Sequence, residues 1–426
     1  LQKQISAATI AIFLFQKIVK CKQLIMQVVN AMYSSMNESF CKKNYSQVSR
    51  GVKSLYVHVP FCVSKCRYCD FYSQVGDRGA KHRYVTAVTS ELKLKREVLS
   101  SPVTSIFVGG GTPTSLAAGM LDELLRELNR WTDKNTEFTV EVNPGTIDAE
   151  MGEVLVRNGV NRVSLGAQTF NPGLLKLLGR IHNPQQTHEA LRFLRNSGIK
   201  NISLDLMYGI PGQTLEMWTS DLDEAISEGV NHLSCYALSF EENTPLWNDL
   251  NAHRVEMIDD ELQREMYYST IRRAESRGFV QYEISNFAQP GFQCKHNMTY
   301  WRNKGYLGIG PAAASYVSGN RSVNAPDLQD YLERVENGLA PQQESERLVG
   351  RAEMGETLML GLRLIRGVDI ASFVERFGVV PADAFPRSFQ RYIRIGALLE
   401  TDTHIRLSSE SLFTSDTVLA DILGEV

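Results

Sequence analysis

The stretch Ser54-Leu55-Tyr56-Val57-His58-Val59-Pro60-Phe61-Cys62-Val63-Ser64-Lys65-Cys66-Arg67-Tyr68-Cys69-Asp70-Phe71 runs a short β-type segment directly into three closely spaced cysteines. Its first six residues are largely β-branched, aromatic or apolar and end before a proline, which suits a strand closing at Val59. The cysteines have the spacing C-x3-C-x2-C, and Cys235 and Cys294 lie far along the chain. A structural zinc ion takes four ligands, usually as two separated pairs, so this cluster falls short of one. His58 is the remaining candidate for a fourth, but it sits within the expected strand. An iron–sulfur cube held by three thiolates leaves one iron open, and the sequence reads as such a [4Fe-4S] loop, with a zinc or redox-sensitive loop as the alternative.

Outward from this loop, short apolar runs alternate with helix-period segments, the pattern of successive βα units and a parallel sheet. Strands are expected at Ser54–Val59, Thr104–Val108, Glu137–Val142, Arg162–Gly166, Ile202–Met207 and His232–Leu238. Between and after them lie amphipathic segments at Lys81–Leu99, Leu121–Trp131, Asp148–Asn158, Gln185–Asn196, Leu215–Glu228 and Asp260–Arg277, several followed by a glycine stop. Six units are too few to close an eight-stranded barrel, so the expected fold is α/β, a partial (β/α)6 barrel of the TIM type, with a small helical accessory domain at the C-terminus.

Such folds gather their chemistry at the carboxyl ends of the strands. There the sequence places Cys62 after strand one, Gly109-Gly110-Gly111-Thr112-Pro113 after strand two, and Glu141 in strand three. Gln168 and Thr169 follow strand four, Asp205 lies on strand five, and Tyr236 and Ala237 are at strand six. Glycines let main-chain groups approach a ligand without an intervening Cβ, carboxylates accept from hydroxyls, and arginine pairs with carboxylates bidentately. The open iron of a three-thiolate cluster is a site for S-adenosylmethionine (SAM).

The chain has 426 residues, 43% hydrophobic and 22% charged, and a net charge of -3. These values exclude disordered and fibrous classes and give no electrostatic reason to expect a nucleic-acid partner. The longest apolar run is the nine residues Ala7–Phe15, too short to span a bilayer, so no stable membrane insertion is expected. Residues 1–50 hold seven basic residues against Glu38 alone, leaving 38 basic and 47 acidic residues after them. This leader reads as an over-extended start or a targeting segment. Seven cysteines without a disulfide-framework pattern suit a reducing compartment, hence a cytoplasmic protein, or a mitochondrial one in a eukaryotic host.

The segment Tyr56–Cys62 through Cys69-Asp70-Phe71 resembles the cluster loop of radical SAM proteins, and more narrowly of the branch holding oxygen-independent coproporphyrinogen III dehydrogenases and related haem chaperones. The resemblance covers about residues 54 to 426. It implies a [4Fe-4S] cluster on Cys62, Cys66 and Cys69, and SAM held by Tyr56, Tyr68, Gly110, Gly111, Thr112, Glu141, Gln168, Arg180 and Asp205. The domains it implies are a radical SAM core over 51–280, a family-specific extension over 281–346 and an accessory domain over 347–426.

Two features separate the chaperones from the dehydrogenases. Phe71 stands where the dehydrogenase pattern has a further, non-ligating cysteine. His296-Asn297-Met298-Thr299-Tyr300-Trp301 resembles the H-N-x-x-Y-W motif of the chaperones. Imidazole is a common haem ligand and aromatic rings can line a macrocycle, so His296, Tyr300 and Trp301 are the expected haem residues, a buried core cluster being the plainer reading. The expected partners are haem and an acceptor protein, with decarboxylation of coproporphyrinogen III as the alternative activity; homodimerisation stays open.

Overall fold

The computed structural model describes residues 51–426, and the reading of residues 1–50 lies outside them. Six parallel strands, β1 (Ser54–Val59), β2 (Ser105–Gly110), β3 (Glu137–Val142), β4 (Arg162–Gln168), β5 (Asn201–Tyr208) and β6 (His232–Ala237), pair in sequence order. Their residues are nearly all buried, as in parallel sheets covered by crossover helices, and this is why they read as continuous apolar runs.

The helices of the repeats are α1 (Arg78–Leu94), α2 (Ala118–Asn129), α3 (Ala149–Arg157), α4 (Pro172–Leu178), α5 (Pro184–Asn196), α6 (Leu215–Ser227), α7 (Pro245–Asn251) and α8 (Asp260–Ser276). Most begin at a side-chain cap; Asn183 and Gln186 close a full capping box at α5. Helices α4 and α7 are absent from the sequence reading. Each is seven residues long and opens on a proline after a capping Asn171 or Thr244, too short to display a helical period.

The sheet continues past the six repeats. β7 (Val280–Glu283) and β8 (Asn286–Ala288) add antiparallel strands beyond β6. After α9 (Lys295–Trp301), β9 (Leu307–Ile309) runs parallel beside β1. Edge strands β7 and β9 do not pair with each other, so the barrel is open. The 280/281 boundary falls inside β7, and the following segment shares the barrel's sheet.

Residues Gln342–Arg347 form a strand on the edge of a separate three-stranded antiparallel sheet. Their six polar residues offer no apolar helix face, and the backbone is satisfied by pairing instead. Beyond Gly350 five helices surround a small sheet that includes His404–Leu407. This region is fastened to the barrel through Ile284 N–H to the Arg363 carbonyl (3.1 Å) and Ile365 N–H to the Tyr282 carbonyl (3.2 Å). Among the described residues no helix is long and apolar enough to cross a membrane.

Candidate functional site at the strand ends

A cavity of about 230 Å³ opens at the carboxyl ends of the strands. Eleven of the twelve residues expected to hold cluster and SAM border it: Cys62, Cys66, Cys69, Tyr68, Gly110, Gly111, Thr112, Glu141, Gln168, Arg180 and Asp205. Tyr56 does not. It lies mid-strand, 3% exposed, its ring packed near Phe107, Cys294 and Ala313 and its hydroxyl 3.0 Å from His58 Nδ1.

The three thiols are partly exposed on one loop. Thr112 Oγ1 lies 3.6 Å from Cys62 Sγ and Arg180 Nη1 lies 3.5 Å from Cys66 Sγ. Among the described residues, no three His, Cys, Asp or Glu side chains converge on a single-ion site. His58 is fully buried, with Nε2 on the Tyr72 carbonyl at 2.9 Å and Nδ1 on Tyr56, and burial lowers its pKa to about 4. It is not free to complete a zinc site. Three free thiols around the mouth of a polar cavity fit the three-thiolate set of a cluster with one open iron.

Backbone shape supports the cavity wall. A Cβ on Gly111 would fall 2.6 Å from the Phe61 carbonyl oxygen, and Gly110, at φ +101°, would press one into the His58 ring. The Gly-Gly-Gly run is therefore demanded by close approach. Gln168 has φ +67° at a register shift between β4 and β5, a left-handed conformation costing about 1 kcal/mol for a non-glycine residue. That twist turns its amide into the cavity, where Oε1 accepts from the Tyr236 hydroxyl at 2.5 Å.

Ionisable side chains border the cavity. Glu141 Oε2 accepts the Gly110 N–H at 3.0 Å; burial, reinforced by Asp205, raises its pKa to about 8. Both Asp205 oxygens accept from Ser164 Oγ at 3.0 Å, and burial raises this carboxyl too. Arg180 Nη2 donates to the Gly166 carbonyl at 2.7 Å. Burial opposes its charge, but Tyr68 and Cys66 more than compensate, so it stays protonated. The arrangement presents a cation, carboxyls and open main-chain groups to one polar, zwitterionic ligand beside the thiols.

The residues expected to meet haem are not in this cavity. His296 and Trp301 are each 1% exposed and Tyr300 is 5% exposed. His296 Nδ1 meets Ser105 Oγ at 2.9 Å, its Nε2 meets the Tyr300 hydroxyl at 3.0 Å, and its ring stacks on Phe107 at 5.3 Å. Glu137 caps the helix they sit on, accepting the Lys295 and His296 N–H groups at 3.0 and 3.1 Å. Both ring nitrogens are committed, and the set is a core cluster that docks α9 into the barrel. The motif does reach the cavity through Asn297, which the sequence reading passed over although it stands beside His296. Ser164, Ser234, Tyr236 and Asn286 also line the cavity; of these, only Tyr236 stood among the strand-end residues.

An open parallel barrel carrying a three-cysteine loop and a polar cavity at its strand ends defines the radical SAM class. Residues 56–225 match the model of the radical SAM superfamily, and residues 350–413 match that of the HemN C-terminal domain. The chain is 34% identical over 379 residues to the heme chaperone HemW of Bacillus subtilis, covering 88% of this chain and 100% of that one. It is 38% identical over 270 residues to the heme chaperone HemW of Escherichia coli, covering 62% of this chain and 70% of that one. The solved coproporphyrinogen III oxidase (HemN) of Escherichia coli superposes with a TM-score of 0.76 at 20% identity, over 89% of this chain and 91% of that one, and shares its fold. The chain belongs to the HemW-type radical SAM family.

Proposed function

We propose that the protein is a haem chaperone, binding haem and passing it to an acceptor protein, with a [4Fe-4S] cluster on Cys62, Cys66 and Cys69 and SAM in the adjoining cavity. The observation that carries this reading is similarity along the whole length of a HemW relative, whereas the likeness to the oxidase is one of fold alone. Phe71, in place of the dehydrogenase's extra cysteine, agrees with it.

The cluster supplies one-electron chemistry toward SAM when both are bound. In this reading Arg180, held by the Gly166 carbonyl, meets the ligand's carboxylate, and Glu141 and Asp205 accept from its hydroxyls. Gln168 is fixed by Tyr236 before any ligand arrives. His296 has no free ring nitrogen in this arrangement, its Nδ1 meeting Ser105 and its Nε2 meeting Tyr300. A cytoplasmic location is proposed on the ground of bacterial relatives, with the mitochondrion as alternative in a eukaryotic host.

The deciding experiment is anaerobic reconstitution with iron and sulfide, titration with haem, and separate incubation with SAM, a reductant and coproporphyrinogen III. Stable haem binding without turnover is the expected result. Multiple-turnover decarboxylation would transfer the protein to the oxidase reading.

A further inference from the structure

Arg67 lies between two of the three loop cysteines, and two other segments, the end of α4 and helix α7, are fastened to it. Its N–H donates to the Leu178 carbonyl at 2.9 Å, and its carbonyl accepts the Leu246 N–H at 2.8 Å. Its guanidinium reaches the Leu177 carbonyl at 3.4 Å and pairs with Asp249, whose side chain is 11% exposed. A Cβ on Gly179 would stand 2.6 Å from Arg67 Cγ, so the end of α4 is pressed against the cluster loop. On the far side, Arg254 Nε donates to the other Asp249 oxygen at 2.8 Å, folding the chain after α7 back onto the same carboxylate. Tyr68, Leu178 and Leu246 share a small hydrophobic cluster beneath.

We infer that the β6–α8 connection is a strap over the cluster loop, and that Asp249 is a positioning residue that holds the loop closed through Arg67. This rests on the reading of Cys62, Cys66 and Cys69 as cluster ligands. The loop itself carries little packing: Val63, Ser64 and Lys65 are exposed and the thiols only partly covered. Its closed form therefore depends on the clamp at Arg67, and opening it bares the cluster to chelators and oxygen. Asp249 touches neither thiol nor cavity, so the clamp acts on the lifetime of the cluster and leaves its ligand set unchanged.

The test is the rate at which a ferrous chelator, bipyridyl, bleaches the charge-transfer absorption of anaerobically reconstituted protein. Asp249→Asn keeps volume and removes the charge pairing; bleaching about tenfold faster is expected, the scale of one charge-assisted hydrogen bond in a local opening equilibrium. Arg67→Ala should behave alike, and combining Arg67→Ala with Asp249→Asn should bleach no faster than either alone, because the two residues form one clamp. Parent-like bleaching of Asp249→Asn, or single effects that multiply in the double variant, would overturn the strap. A parent protein that takes up no iron would instead remove the cluster reading on which it stands.

Discussion

Arg180 Nη1 rests 3.5 Å from Cys66 Sγ while its Nη2 is tied to the Gly166 carbonyl, so one guanidinium spans the boundary between the thiol loop and the cavity wall. A residue so placed is pre-oriented toward a ligand carboxylate without being a cluster ligand. Arg180→Ala should leave iron uptake near parent and weaken SAM binding about tenfold or more, the loss of a charge-assisted pair. Isothermal titration of the reconstituted variant with SAM measures it; unaltered affinity would remove Arg180 from the ligand site.

Cysteine replacements divide along the same boundary. Ser at Cys62, Cys66 or Cys69 should abolish the cluster's absorption and reduce iron well below about four per chain. Ala at Cys235 or Cys294, both buried within the barrel, should retain it and cost about 1 to 2 kcal/mol of stability from lost packing. Iron analysis and thermal melts separate the two groups.

The barrel's six repeats and the strand-end part of the cavity wall were legible for one physical reason: parallel strands buried on both faces read as apolar runs, and their ends point one way. Tyr56 sits mid-strand, four residues before Pro60 and below the rim, packed against Phe107, a depth that sequence distance from the cysteines does not reveal. β7, β8 and β9 are three or four residues long, below the length at which alternation speaks. The motif on α9 shows another limit. Adjacent helical residues point about 100° apart, so local sequence could not tell that His296 faces the core and Asn297 the cavity.

That division makes a prediction about haem. His296→Ala should lower stability by about 2 to 3 kcal/mol, since Ser105 and Tyr300 each lose a buried partner, and leave the Soret band of bound haem in place. Asn297→Ala should leave the melting temperature near parent and change ligand binding in the cavity. A displaced Soret band in His296→Ala, at unchanged fold, would show that α9 undocks to offer its imidazole.

Glu141 gives the cavity a pH signature. Burial and Asp205 raise its carboxyl to about 8, above the usual unfolded value of about 4.3, so the folded chain keeps a proton that the unfolded chain releases. Stability from this group is therefore complete in acid, is progressively lost as pH rises above the unfolded value, and levels off past pH 8. Glu141→Gln removes the titration, and its advantage over the parent should grow between pH 5 and pH 8 by about 1 to 2 kcal/mol once solvent in the cavity is allowed for. Thermal melts of both proteins across that range provide the measurement. A constant difference would mean that Glu141 is already ionised in the folded protein, placing a full negative charge beside Asp205 and making the cavity a cation site before any ligand enters.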